Sequence, residues 1–282
     1  MVADIDAQQA SDGSVLSTNG KIQASRLQLA RNGTPATQPV NIDYVISHNL
    51  SARDGQIKSL NIHAGSVAAQ VTGGYRLTPQ AAVLDLRLNA PNLPIDQVEQ
   101  LLPAFGVRLP SGSALRGGTL TANLNVTGPA TATTITGPVS IDNATLAGFD
   151  LGSKIQGLSA LSGHTTGGTQ IQTLRANVSS SPQVTQLSNI YGNLPQLGTA
   201  TGSGTVSPAG ALNFNMVATL TSSNLAGAAA NQAINMASGY LNGFLHPNAK
   251  PAASNQNNSI PLTITGTASN PSIRANVGAM LR

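Results

Sequence analysis

The sequence contains no cysteine and no tryptophan, and it has few charges. Without cysteine, disulfides and thiolate metal sites are excluded. Charged residues make up 9% and aromatic residues 3% of the 282 residues. A disordered chain normally combines high charge with few aliphatic residues. Here hydrophobic residues reach 40% and alternate regularly, so we expect an ordered, β-rich protein long enough to bury a sizeable core.

The net charge of +4 comes from 14 basic and 10 acidic residues spread along the chain. No Lys/Arg cluster is interleaved with aromatic residues, so we expect no nucleic-acid partner. The polar, alternating start at residues 1–6 is neither a signal peptide nor a membrane span. Because a strand-like pattern begins at once at Met1, we expect the sequence to be a piece of a longer chain.

The residues that would carry catalysis or metal binding do not form a recognisable pattern. No two of His48, His63, His164 and His246 have a metal-ligand spacing on one helix. The run Gly202–Gly204 is followed by a strand pattern, whereas a phosphate loop leads into a helix. No Gly-x-Ser-x-Gly elbow occurs. We therefore expect no enzymatic activity, no catalytic residue, no metal and no cofactor.

The stretch at residues 115–152 shows the pattern that organises the chain. Leu120, Leu124 and Val126 alternate with Thr and Asn residues, and an apolar face continues after a loop at Ile135. Period-two alternation indicates strands with one apolar and one polar face. The same alternation recurs through residues 1–90, where short turns join successive strands. Such a meander must bury one face, either in a packed core or in a groove open to a ligand.

Three segments have helical signals instead, at residues 94–106, 222–245 and, for one or two turns, 154–161. In the first, Ile95, Val98 and Leu101 follow helical spacing, and Pro103 ends the helix. The polar residues in 222–245 argue against a transmembrane span. We expect these short helices to cap an end or edge of the sheet.

Several runs carry a resemblance to a known family, and they occur in a characteristic order. They are Leu93–Pro110, Gly117–Leu120, Thr136–Lys154, Gly202–Phe214 and Ile260–Ile273, the last beginning Ile-Pro-Leu-Thr-Ile-Thr-Gly-Thr. In this order the runs resemble the C-terminal region of AsmA-family proteins, over about residues 90–282. Residues 1–90 resemble the family only in their strand pattern.

The resemblance implies a mainly β fold, in which a long, curled antiparallel sheet forms an open hydrophobic groove capped by two or three short helices. Residues 1–90 would be a β-meander groove segment and residues 91–282 an AsmA-like C-terminal domain, in one continuous sheet. It also implies a periplasmic protein of the cell envelope, held in the inner membrane by an N-terminal anchor that this chain lacks. Phospholipid and envelope proteins would be its partners in outer-membrane biogenesis.

The expected function is therefore to bind or conduct phospholipid acyl chains along the groove, between the inner and outer membranes. The residues expected to line the groove are Val67, Val71, Leu84, Leu86, Leu88, Leu120, Leu124, Val126, Ile135, Val139, Ile141, Phe214, Met216 and Ile264. The alternative is a β-sandwich or β-solenoid that scaffolds envelope assembly without conducting lipid. A solenoid would show a repeat of about 20–30 residues, and we find none.

Overall fold

The structure is a computed structural model that describes residues 1–28, 34–36, 38–105, 107–156, 167–220 and 259–275. The helix predicted at residues 222–245 lies outside these ranges. Within them, the prediction of a mainly β fold is confirmed: the chain forms one antiparallel sheet that does not close into a barrel, with two short α-helices.

The sheet contains sixteen strands, most of which follow one another directly through short turns. Their bounds are β1 (Val2–Gln9), β2 (Val15–Ala24), β3 (Val40–Asn49), β4 (Asp54–Ala64), β5 (Val67–Leu77), β6 (Ala82–Pro94), β7 (Ala114–Arg116), β8 (Thr119–Pro129), β9 (Thr134–Ala147), β10 (Ile155–Gln156), β11 (Gly168–Ser180), β12 (Thr185–Leu194), β13 (Gly198–Val206), β14 (Leu212–Leu220), β15 (Ser259–Thr267) and β16 (Asn270–Ala275).

The strand order is β1-β2-β3-β4-β5-β6-β8-β9-β11-β12-β13-β14-β15-β16-β10, and β7 pairs with β9 beside this path. Every pairing is antiparallel except that of β10 with β16. The boundary expected between residues 90 and 91 falls inside β6. Because β6 pairs with β5 on one side and β8 on the other, the ladder crosses this position without a break.

Helical structure caps the sheet where β6 ends. Helix α1 (Ile95–Leu101) and a 3-10 helix (Leu102–Phe105) follow β6, in agreement with the prediction for 94–106. Helix α2 (Leu151–Lys154) is a single turn. No helix in the described ranges has the length and apolar character needed to cross a membrane.

The prediction of helical turns at 154–161 holds for Lys154, the last residue of α2, but is wrong for the next two residues. Ile155 and Gln156 form β10 and pair with Ile273 and Arg274 of β16. Residues 157–166 lie outside the described ranges. The edge of β16 offers unpaired backbone N–H and C=O groups, and pairing with them satisfies the backbone of Ile155 and Gln156 better than one isolated helical turn.

The strands give the sheet two distinct ends. At the helix end, β6 runs into α1 and β8 begins; at the opposite tip end, hairpin turns join β1 to β2, β3 to β4, β5 to β6 and β8 to β9. The sheet also curls, because its C-terminal strands fold back on the connection after β9. Besides the β10–β16 pairing, the Ser111 N–H donates a hydrogen bond of 2.8 Å to the Ser269 carbonyl.

Candidate functional site: the apolar face

The cross-strand register shows that one apolar face runs through the sheet. In an antiparallel ladder, directly opposite residues project on the same side. Val71 pairs with Leu88, and Leu88 pairs with Leu124. Further along the sheet, Phe214 pairs with Ile264. The same ladder places every expected groove residue on this face: Val67, Val71, Leu84, Leu86, Leu88, Leu120, Leu124, Val126, Ile135, Val139, Ile141, Phe214, Met216 and Ile264.

The opposite face is polar. In β8, for example, Asn123 and Asn125 are exposed, while Leu124 and Val126, which alternate with them, are half-buried. Since polar residues alternate with apolar residues along the strands, the sheet keeps one face in water and turns the other inward.

A β-bulge preserves this alternation at the end of β6. Strict alternation would place Asn92 on the apolar face after Ala90. Instead the register shifts between Ala90 and Leu93, and Asn92 has a positive φ of 49°. The bulge absorbs one residue, so Leu93 faces inward and is buried.

The apolar face is most deeply covered at the helix end. Val40, Ala64 and Ala90 are buried there, and Val98 and Leu101 of α1 pack against their cluster. Leu27, from the connection between β2 and β3, packs there as well. This end of the face is therefore a packed core. Of the expected groove residues, Val67 belongs to it, and Leu88, Leu120, Leu124 and Val139 pack against it.

The C-terminal strands form a second packed cluster. Met216 is buried among Ile155, Ile190 and Ile273, and Phe214 and Ile264 pack against the same cluster. Ile155 reaches this cluster because β10 pairs with β16 where the sheet folds back. Met216, Phe214 and Ile264 therefore contact other side chains of this protein.

In the remaining part, the face is partly open. Of the expected groove residues, Val67, Val71 and Met216 are buried and all the others are half-buried. Leu84, Leu86 and Val126 lie toward the tip end, away from α1. Side chains that keep part of their apolar surface exposed in a continuous row form a surface suited to an apolar ligand.

A polar pair interrupts the apolar face at the tip end. His48 and Tyr75 stack with ring centroids 5.7 Å apart and an interplanar angle of 9°. Tyr75 Oη and His48 Nδ1 lie within hydrogen-bond distance at 3.2 Å. The ladder places Gly55 of β4 between these two residues. Because Gly55 has no side chain, Tyr75 can lie across it, and partial burial raises the pKa of the Tyr75 hydroxyl.

Sequence reasoning missed this pair. The two residues are 27 positions apart in the sequence, and no local pattern connects them. The signal is the glycine in β4, since a glycine flanked by aromatic residues on both neighbouring strands favours coverage by one of them. Recognising it requires the cross-strand register, which local alternation does not define.

A surface cavity of about 720 Å³ lies at the tip end beside this pair. Tyr75 and Leu84 line it together with Val15, Val83 and Thr78. Most of the other lining residues, such as Gln56, Arg76 and Asp85, are polar strand residues on the face opposite to the apolar one.

The acidic residues of α1 have a structural role. Arg116 Nη1 contacts Glu99 Oε2 at 2.9 Å and Asp96 Oδ1 at 3.9 Å. Asp96 also accepts a hydrogen bond of 3.1 Å from the Gly117 N–H. These contacts hold α1 against the segment that leads into β8. Among the described residues, no group of three or more His, Cys, Asp or Glu side chains is placed to share a metal ion.

Comparison of the sequence with protein-family models, with curated proteins and with solved structures gives no match.

Proposed function

We propose that this protein holds the acyl chains of phospholipids along its apolar face, as a lipid-handling protein of the bacterial cell envelope. The resemblance to the AsmA family supports this proposal and suggests a periplasmic site of action, an inner-membrane anchor and a role in outer-membrane biogenesis. The proposed process is non-covalent and requires no catalytic residue.

One observation carries the proposal: the apolar face continues in register across the sheet and stays half-exposed toward the tip end, outside its packed clusters. Leu84, Leu86 and Val126 represent this open part. A packed sandwich would cover such residues with a second sheet, and the described residues form one sheet.

The physical basis is the hydrophobic effect. Each methylene that stays on an apolar surface instead of entering water is favoured by about 0.8 kcal/mol. A row of aliphatic side chains thus lowers the free energy of an acyl chain that has left a bilayer. The polar head group would remain in water and would need no charged partner on the apolar face.

The test is mass spectrometry of organic extracts from the purified protein, for the wild type and two variants. Val126→Asp places a carboxylate on the open part of the apolar face, outside the packed clusters. Asn125→Asp places the same group one residue away on the exposed opposite face. We expect phospholipid in extracts of the wild type and of Asn125→Asp, and a several-fold loss in Val126→Asp. Wild-type extracts without phospholipid would defeat the proposal.

The alternative function is a scaffold whose apolar face is wholly packed. The same variants distinguish the lipid-holding function from the scaffold function in thermal unfolding followed by circular dichroism. On a ligand-accessible face, Val126→Asp should cost about 1–3 kcal/mol and leave a folded protein. In a packed core, the uncompensated carboxylate should cost more than about 4 kcal/mol and unfold it.

A further inference from the structure

The hairpin turns at the tip end are joined into one continuous rim. The turns are residues 10–14, 50–53, 78–81 and 130–133, and we call them, with the strand residues that flank them, the tip rim. The Leu50 N–H donates to the Ser14 carbonyl at 2.9 Å. The Leu77 N–H donates to the Arg53 carbonyl at 2.7 Å.

A third bond, of 2.8 Å, runs from the Ala130 N–H to the Ala82 carbonyl. Together the three bonds link the turn after β1 to the turn after β3, the latter to the turn after β5, and that turn to the one after β8. The rim is therefore a connected surface and not a set of independent loops.

The rim is nearly without charge. Among its four turns, Asp12 and Arg53 are the charged residues, and their charges cancel. Just behind the rim, Asp54 and Arg76 are direct cross-strand partners of opposite charge. The helix end differs, since α1 and its neighbours carry an ion-pair network around Arg116.

Large aliphatic side chains are exposed along the same rim. Leu50 lies in the turn after β3 and is 43% exposed. Leu77, at the end of β5, is 40% exposed, and Val83 at the start of β6 is similarly exposed. Single exposed aliphatic residues are common on protein surfaces. A row of them on neighbouring turns with no net charge indicates a surface that contacts something apolar.

We propose that the tip rim rests on the surface of a phospholipid bilayer, with Leu50, Leu77 and Val83 inserted at the level of the head groups. This inference rests on the proposed function in one respect, because the open part of the apolar face leads to the same end of the sheet. Lipid would then reach the face past Tyr75 and Leu84, which are cross-strand partners on the apolar face close to the rim.

The lack of net charge on the rim determines which bilayer it favours. Basic surfaces bind membranes through anionic lipids, and salt weakens that attraction. Insertion of aliphatic side chains depends instead on buried apolar area. We therefore expect the protein to bind neutral phosphatidylcholine vesicles, with little change between low and high salt.

The experiment is co-sedimentation with phosphatidylcholine vesicles, using the full chain. The test variant is the double substitution Leu50→Asp with Leu77→Asp. The control is Val217→Asp, because Val217 is 42% exposed but lies on the polar face of β14. We expect the double variant to lose vesicle binding by roughly tenfold or more, while Val217→Asp binds like the wild type. Circular dichroism confirms that each variant is folded.

Several outcomes would overturn the inference. These are wild-type protein that does not sediment with the vesicles, a folded double variant that binds as well as the wild type, and binding that requires anionic lipid and disappears in salt. If the wild type does not bind vesicles and the double variant no longer self-associates, the rim contacts a second copy of the chain instead of a bilayer. Lipid extraction from the same wild-type sample tests the proposed function independently, so either proposal can fail without the other.

Discussion

Replacing Gly55 by alanine should destabilise the protein because the added Cβ atom displaces the Tyr75 ring. Gly55 lies between His48 and Tyr75 on the apolar face. A Cβ atom at this position would overlap the Tyr75 ring. The ring must therefore move, and in moving it gives up its stacking on His48 and the 3.2 Å hydrogen bond.

The expected cost follows from these two losses. Overpacking a fitted site costs about 1–3 kcal/mol, and losing one hydrogen bond costs about 1 kcal/mol. Because Tyr75 is only partly buried, relaxation toward solvent offsets some of the strain, and we expect about 2 kcal/mol in total. The midpoint of urea unfolding should fall by the corresponding amount with an unchanged slope.

Gly74 supplies a matched control on the neighbouring strand. There an added Cβ would meet the Gly55 carbonyl oxygen at 3.5 Å, which is ordinary van der Waals contact. Gly74→Ala should therefore be neutral or slightly stabilising, since alanine restricts the unfolded chain more than glycine does. Adding Tyr75→Ala to Gly55→Ala should cost less than the sum of the two single substitutions. Equal stability of Gly55→Ala and Gly74→Ala would refute this reasoning.

Two further predictions concern the core and the free edge of the sheet. Ile95, the first residue of α1, is 1% exposed, so Ile95→Ala should cost about 2–5 kcal/mol in urea unfolding. The exposed control Val45→Ala should change stability by less than about 0.5 kcal/mol. Similar losses for both would contradict the assigned core. On the edge strand β1, Ile5 is 58% exposed on the apolar face. Lysine on an edge blocks strand pairing, so Ile5→Lys should reduce concentration-dependent association in sedimentation velocity more than Gln8→Lys on the other face does. If both lysine substitutions reduce association equally, the added charge and not the apolar face accounts for the effect.

Much of the fold could be predicted because its signals are local. Leu120, Leu124 and Val126 alternate with polar residues, and this alternation defines both a strand and its faces. The spacing of Ile95 and Leu101 likewise predicts the helix after β6. Each signal depends on a few neighbouring residues, so no knowledge of distant partners is needed.

The candidate site could be predicted only in part. The apolar face follows from alternation, and the structure places all its expected members on one side of the sheet. The burial of Met216 could not be predicted, because it depends on Ile155, about sixty residues earlier in the chain, reaching β16. The contact between His48 and Tyr75 likewise depends on the register across Gly55.

By itself, the sequence determined the strands, their two faces, the helix at α1 and the scarcity of charge, since period and composition are properties of neighbouring residues. The tertiary structure alone decided which parts of the apolar face are packed and which stay half-exposed. It also decided that the turns holding Leu50 and Leu77 meet in one rim. The physical reason is that coverage and adjacency come from long-range strand pairing and chain reversal, and residues far apart in sequence contribute to both.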